Sequence, residues 1–526
     1  MAHPLVAIGL DSFSPILLEI WIEQGKLPVL ARLMREGTYA RQRNFELYRT
    51  ENSWLTLLQG CSPEFSQEWG HLSYSGSDHE AVEHAVYAFD RIPPFYARND
   101  CRFVVFDLPL VGVADGVKGT QLFGWGAEAN QISRQSDPPG AIERIVARHG
   151  RHPLYDTITR DDDGSERLSY RIPSIYDVEA LRDVRDKLVA AIRTRTQIIS
   201  ELIAAGDWDC LICAFGEIHT AGHLLWHSSQ IHPLRDAMGD TFDADLFLEI
   251  AQEIDAAVGK LLALLPPDAN LIVFSPHGMR PNSIDLNSML FLPEMVYRWS
   301  SGKQAFRGHG GLGPPPPLRL DYRRHWREEV WAMRTEHGDA VLESPFAQEA
   351  RADPLDWDPA NWYRPLWPSM RAFCLPGYSE GLVRVNVAGR DGAGGVPPAG
   401  FSAVCDELAA MIGELVVGRT GEKAVAEIIR VRAEADEGEN FSPADLIVRW
   451  RDEIVSDVME HPALGRVGPA PFFRAGGHAT KGFVLGVGNS FRPDHKLADV
   501  MTEDVTATIV DRLGISPWPH MTGAAI

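Results

Sequence analysis

Four short fragments of this 526-residue chain carry side chains that bind metal ions. Gly9-Leu10-Asp11 lies near the start. Glu217-Ile218-His219-Thr220-Ala221-Gly222-His223 and Ser275-Pro276-His277-Gly278 follow, and Gly476-Gly477-His478 comes near the end. Imidazole and carboxylate suit borderline divalent ions such as zinc. Each residue also has a plainer reading. Asp11 could cap a following helix, His219 and His223 could be surface or core histidines, and His277 could be a turn residue. His219 and His223 are four apart, which puts them on one face if the segment is helical. A strand-to-helix turn with His223 in the first turn is the alternative. His478, between Gly477 and Ala479, sits in a stretch read as flexible, which would let its ring approach an ion.

An α/β framework must position these fragments. Apolar runs at 5–10, 101–108, 209–215 and 270–274 read as buried strands. Helices are expected at 14–23, 29–36, 177–204 and 247–264, and this alternation is that of an α/β fold. Three of the fragments sit at or just after these strands. Ligands at strand ends of a parallel sheet converge on one crevice. Thr50 opens a further helix that stops at Gly60. Free N–H groups at a helix start favour an anion. The common use of such a threonine is capping. Beside metal ligands Thr50 becomes a candidate nucleophile, because coordination lowers a hydroxyl pKa.

The pattern changes near residue 300. Residues 308–317 are Gly/Pro-rich and 353–368 are rich in Trp and Pro, before α/β character returns. We read a core split into 1–300 and 465–526, with an inserted α+β subdomain at 300–465. Inserted segments often set the substrate. Trp362, Tyr363, Arg364, Trp367, Arg371, Tyr378, Arg384 and Arg390 could meet a base, sugar or phosphate. Core packing and surface charge are the plainer reading for most of them.

The net charge is −22, from 50 basic and 72 acidic residues. That argues against coating a nucleic-acid polymer. It permits a small anionic substrate, since a metal reverses the field locally. The chain opens without a basic region or cleavage site, and no apolar stretch is long enough to span a bilayer. Six cysteines in so long a chain do not suggest a disulfide framework. A cytoplasmic protein with free thiols and no membrane partner is expected. Cys210 and Cys213 are three apart on a strand and face opposite sides, as core residues would.

The order of the pieces resembles the alkaline phosphatase superfamily, in its type I phosphodiesterase/nucleotide pyrophosphatase branch. The matching pieces are Ile8 to Asp11, Gly25 to Leu33, Thr50 to Gly60 with Ser62-Pro63, Phe215 to Trp226, Ser275 to Met279, Gly477-His478 with Gly482-Phe483, and a tail from Asp504 to Gly523. The resemblance implies a mostly parallel central sheet with helices on both faces. It also implies a metal-dependent hydrolase of a phosphodiester or phosphomonoester, with Thr50 as nucleophile. Asp11, Thr50 and His277 would hold one zinc ion, and His219, His223 and His478 a second. Manganese or iron are alternatives to zinc.

Two positions depart from the family pattern. His219 stands where an aspartate is expected, and Pro276 stands where the family has the acid of Asp-His-Gly. The first set loses a carboxylate, and the second becomes a three-histidine site with an open fourth position. Glu51, Glu217 or Ser275 could supply the missing oxygen. Three readings follow: a two-metal phosphate-ester hydrolase, a one-zinc enzyme on an unusual phosphoryl, sulfuryl or phosphonate substrate, and a degenerate member that binds without turnover.

Overall fold

The computed structural model describes residues 3–47, 52–70, 72–126, 133–160, 166–238, 241–308, 313–435 and 442–526. The run Leu5–Leu10 forms strand β1 and is buried along its whole length, which is why it carries no polar alternation. Ser14 accepts from the Leu17 amide and starts helix α1, Pro15–Glu23, with proline at its first position. Helix α2, Pro28–Glu36, and strand β2, Thr38–Arg43, follow. Helix α3 spans Ser53–Gln59, with Asn52 in the cap position. Its cap therefore lies two residues later than the Thr50 cap that the sequence pattern suggests. It ends at Gly60, whose φ of 69° is left-handed and favours glycine.

Strands β3 (Arg102–Phe106), β4 (Lys118–Phe123) and β5 (Gln135–Asp137) lead to the long helix α4, Val178–Ala205. Then come strand β6 (Cys210–Phe215), helix α5 (Glu217–Leu225), helix α6 (Leu246–Leu262) and strands β7 (Asn270–Ser275) and β8 (Gly278–Pro281). Asp177 and Asp245 cap α4 and α6 by accepting from the amides of Ala180 and Leu248. Strands β9 (Ala372–Leu375), β10 (Gly381–Val385), β11 (Val425–Arg430) and β12 (Leu446–Trp450) form a separate sheet in the order β9-β10-β12-β11. The chain then returns through β13 (Gly476–Ala479), β14 (Lys481–Val487) and helix α7 (Thr502–Arg512).

The main sheet has ten strands. Its path runs from His495–Lys496 through β2, β14, β7, β1, β6, β3 and β4 to β5, and Val500–Met501 also pairs with β2. The block β7-β1-β6-β3-β4 is parallel. Strand β14 runs antiparallel to β7 and β2, and β5 antiparallel to β4. Helices cover both faces. Val6, Ile8 and Leu10 pack with Leu18, Leu188 and Ile254 in one core, while Leu5 and Ala7 pack with Leu55, Leu58 and Ile509 in the other. Cys213 and Cys210 belong to opposite cores, and both are buried free thiols. Among the described residues, no helix is long and apolar enough to cross a membrane.

Candidate metal centre

Three neighbouring strands deliver the site. Asp11 follows β1, helix α5 starts two residues after β6, and His277 follows β7. In a parallel sheet these carboxyl ends share one crevice. His219 and His223 lie one turn apart on α5. His478 comes from the far end of the chain on β13. There it is held in a two-stranded ribbon with β8, opposite Met279. The glycine-rich stretch expected to be flexible is thus a paired strand. Its glycines serve close approach: a Cβ on Gly476 would sit 2.1 Å from the carbonyl oxygen of Gly222 in α5. That contact lets His478 reach the helix.

The rings of His219, His223 and His478 converge. Each offers one nitrogen within 4.8 Å of the others, and no other such group is found among the described residues. Their tautomers follow from their partners. His223 Nδ1 lies 2.8 Å from the Gly476 carbonyl, which can only accept. His219 Nδ1 lies 3.1 Å from Asp11 Oδ2, and an ionised carboxylate can only accept. Both Nδ1 atoms therefore carry the hydrogen, and both Nε2 atoms present lone pairs. Those Nε2 atoms are 2.8 Å apart. Facing lone pairs repel unless a proton or a metal cation lies between them. A carbonyl or carboxylate behind each imidazole is also the usual support of a metal-ligating histidine. The donor set fits a divalent ion such as zinc. Burial, deepened by Arg474 and the neighbouring imidazoles, holds His223 and His478 well below the usual histidine value, so both rings are neutral at neutral pH.

The other half of the expected pair is built differently. Asp11 is buried, with Oδ1 accepting from Trp54 Nε1 at 2.8 Å and Oδ2 facing His219. Burial pushes its carboxyl up, but His219, His277 and Trp54 outweigh it and hold the acid below its usual range. Trp54 reaches Asp11 across Gly9, where a Cβ would sit 2.6 Å from the indole. His277 has Ser12 Oγ 2.6 Å from Nε2 and Ser53 Oγ 2.7 Å from Nδ1. Its Nε2 stands 3.8 Å from Asp11 Oδ1. Burial, against the pull of Asp11, brings its pKa down to about 4. Ser12 has a φ of 61°, a strained backbone for a non-glycine residue. Thr50 and Glu51 lie outside the described residues.

The remaining candidates fall elsewhere. Glu217 is fully buried in an ion pair, with Oε1 2.7 Å from Arg195 Nε and 3.4 Å from His152 Nε2. Burial opposes its ionisation, but Arg195 and His152 outweigh burial and lower its pKa. It anchors the first turn of α5 and does not face the histidines. Ser275 Oγ accepts from the Phe13 amide at 3.0 Å and donates to the His277 carbonyl at 2.7 Å. Ser275 is satisfied as it stands, whereas Glu217 keeps Oε2 buried without a hydrogen-bond partner while Oε1 is held by Arg195. Within residues 300–465, Arg384 pairs with Asp391, Arg390 with Asp445, and Trp362 and Trp367 are buried. Tyr378 alone of that set lines the cleft.

This cleft has a volume of about 760 Å³ and runs from Asp11 and the histidines to Trp357, Tyr378, Phe473 and Arg474. Ser12, Ser53, Trp54 and Arg474 were not singled out from sequence. Ser12 and Trp54 carried a signal in their adjacency to Asp11 and to the Thr50 segment. Arg474 carried none, because its partners lie far along the chain.

Residues 112–350 match the family described as Type I phosphodiesterase / nucleotide pyrophosphatase. Over that stretch the chain is similar to the type I phosphodiesterase/nucleotide pyrophosphatase branch of the alkaline phosphatase superfamily. The matched stretch contains His219, His223 and His277 and leaves Asp11 and His478 outside, so the fold is what joins all five. Among solved structures, phosphonoacetate hydrolase from Sinorhizobium meliloti 1021, in complex with phosphonoformate, is similar at 13% identity and a TM-score of 0.50. That likeness covers 98% of this chain and 95% of that one. Murine ectonucleotide pyrophosphatase/phosphodiesterase 5 is similar at 12% identity and a TM-score of 0.45, over 98% of this chain and 97% of that one. At these identities the likeness is one of fold. No curated protein matches the sequence.

Proposed function

We propose that the chain is a metal-dependent hydrolase of a phosphate ester, holding one divalent ion on His219, His223 and His478. The observation that carries this reading is the pair of Nε2 lone pairs facing each other at 2.8 Å, each with its Nδ1 hydrogen already committed. A divalent metal there would polarise a phosphoryl oxygen and lower the pKa of an attacking hydroxyl. The chain's own residues do the rest. Asp11 orients His219, Gly476 orients His223, and Thr50, in the segment leading into α3, attacks phosphorus. Its P–O bond forms as the ester P–O bond breaks, and the alcohol leaves with the proton given up by the threonine. Water then cleaves the phosphothreonine, restoring the hydroxyl and releasing the phosphoryl product. The 300–465 segment covers the crevice with Trp357 and Tyr378 and selects a small anionic substrate.

One ion rather than two is favoured by the second half of the site. Asp11 and His277 spend their donor atoms on Trp54, His219, Ser12 and Ser53, and Pro276 has no side-chain donor. Metal analysis of the purified protein tests this reading. One zinc, manganese or iron per chain is expected, together with metal-dependent hydrolysis of a phosphate ester. Two ions per chain would restore the two-metal scheme, and no affinity for any of the three would remove the enzymatic reading.

A further inference from the structure

Arg474 stands beside the three histidines with its donors arranged for an anion. Its Nε donates to Asp285 Oδ2 at 2.5 Å, and Asn282 Nδ2 donates to the same oxygen at 2.8 Å. Its guanidinium carbon lies 5.2 Å from the ring centroids of both Tyr378 and Phe473. The head group is thus fixed in position and plane. Its Nη1 donates to His223 Nε2 at 2.9 Å, and its Nη2 is buried with no hydrogen-bond partner. A buried donor without an acceptor is costly. An ion on His223 Nε2 takes away the acceptor of Nη1 as well. Two guanidinium donors next to the metal position are then left without an acceptor. Other cations of the cleft are committed: Arg171 to Glu328, and Arg327 to Glu349 and Asp356.

A guanidinium with two free nitrogens binds two oxygens of one oxyanion. A phosphodiester has two non-bridging oxygens. One directed to the metal leaves a single oxygen for Arg474. A terminal phosphoryl, phosphonyl or sulfuryl group has three, so one directed to the metal leaves two. We infer that Arg474 binds the reacting group and selects a terminal tetrahedral oxyanion over a diester. This inference rests on the metal reading above and narrows its substrate class.

Calorimetric titration of the zinc-loaded protein tests it. The probes are methyl phosphate, methylphosphonate and methyl sulfate, with dimethyl phosphate as the diester. At least one terminal oxyanion should bind roughly tenfold more tightly than dimethyl phosphate, and the tightest of the three names the reacting group. Arg474→Gln should lose about tenfold or more for that probe and less than about threefold for dimethyl phosphate. Its zinc affinity should not fall, because Arg474 donates to the His223 lone pair that zinc must take and so competes with the ion. Arg474→Lys keeps the charge without the fork and should recover only part of the loss. Equal losses for both classes of probe, or no loss, would overturn the inference while zinc binding left the metal reading intact. If the unsubstituted protein takes up no metal, both fall together.

Discussion

The two halves of the site contain the same kinds of donor, a histidine cluster on one side and a carboxylate with a histidine on the other. On the α5/β13 side, each Nδ1 of His219 and His223 is satisfied from behind, which leaves Nε2 pointing at its neighbours. On the β1/β7 side, both nitrogens of His277 and both oxygens of Asp11 already have protein partners. The difference teaches that ligand type is not enough. What makes a donor available is a lone pair turned towards the other ligands, as at the Nε2 atoms of His219 and His223, even though Arg474 also donates to one of them.

The strongest way to break this comparison is His223→Ala. It should abolish zinc binding and bring hydrolysis to background, as measured by metal analysis and turnover. His277→Ala should leave the zinc content unchanged, and equal metal loss in the two variants would erase the distinction between the halves. Thr50→Ala comes next: turnover should vanish while zinc stays bound. A variant that kept most of its activity would show that another group attacks. Asp11→Asn should weaken zinc binding by roughly 10–100-fold, as loss of a partner behind a ligating histidine does. Zinc titration reads this, and an unchanged affinity would mean that Asp11 does not orient His219.

Pro276→Asp sharpens the comparison by restoring the acid that the superfamily pattern has there. A second, weaker ion per chain is the expected outcome, and continued binding of one ion would show that the Ser12 and Ser53 partners, rather than proline, close the second site. The smallest effect concerns histidines with no ion to bind. Burial brings His227 to about 4 and His232 to about 3. Both lie below the unfolded value of about 6.5, so the unfolded chain takes up protons first. Their stabilising contribution is complete above about pH 7 and is lost as pH falls from about 6.5 towards 4. Urea midpoints of the metal-free protein should follow that fall, and a flat profile through it would contradict the burial.

Much of the framework is legible in the sequence. The runs behind β1, β6 and β7 are continuous because both sheet faces are covered, and the helices expected at 14–23, 177–204 and 247–264 appear as α1, α4 and α6. Helix α3 was misplaced at its start because Thr50 and Asn52 are both good capping residues, and local pattern does not choose between them. Pairing was illegible at His478. Its glycines look flexible, yet β8, about 200 residues earlier in the chain, holds them in a ribbon. Glu217 looked available beside His219 because nothing local reveals Arg195 on α4.

The sequence by itself determined which donors exist and their order along the strands, with a histidine at 219 and a proline at 276. The tertiary structure decided which of those donors turn their lone pairs towards one another, and it brought Arg474 to them. The physical reason is that hydrogen-bond partners compete with a metal for the same lone pairs. Here those partners come from segments distant in the chain: Trp54 and His219 for Asp11, Ser12 and Ser53 for His277, and Gly476 for His223.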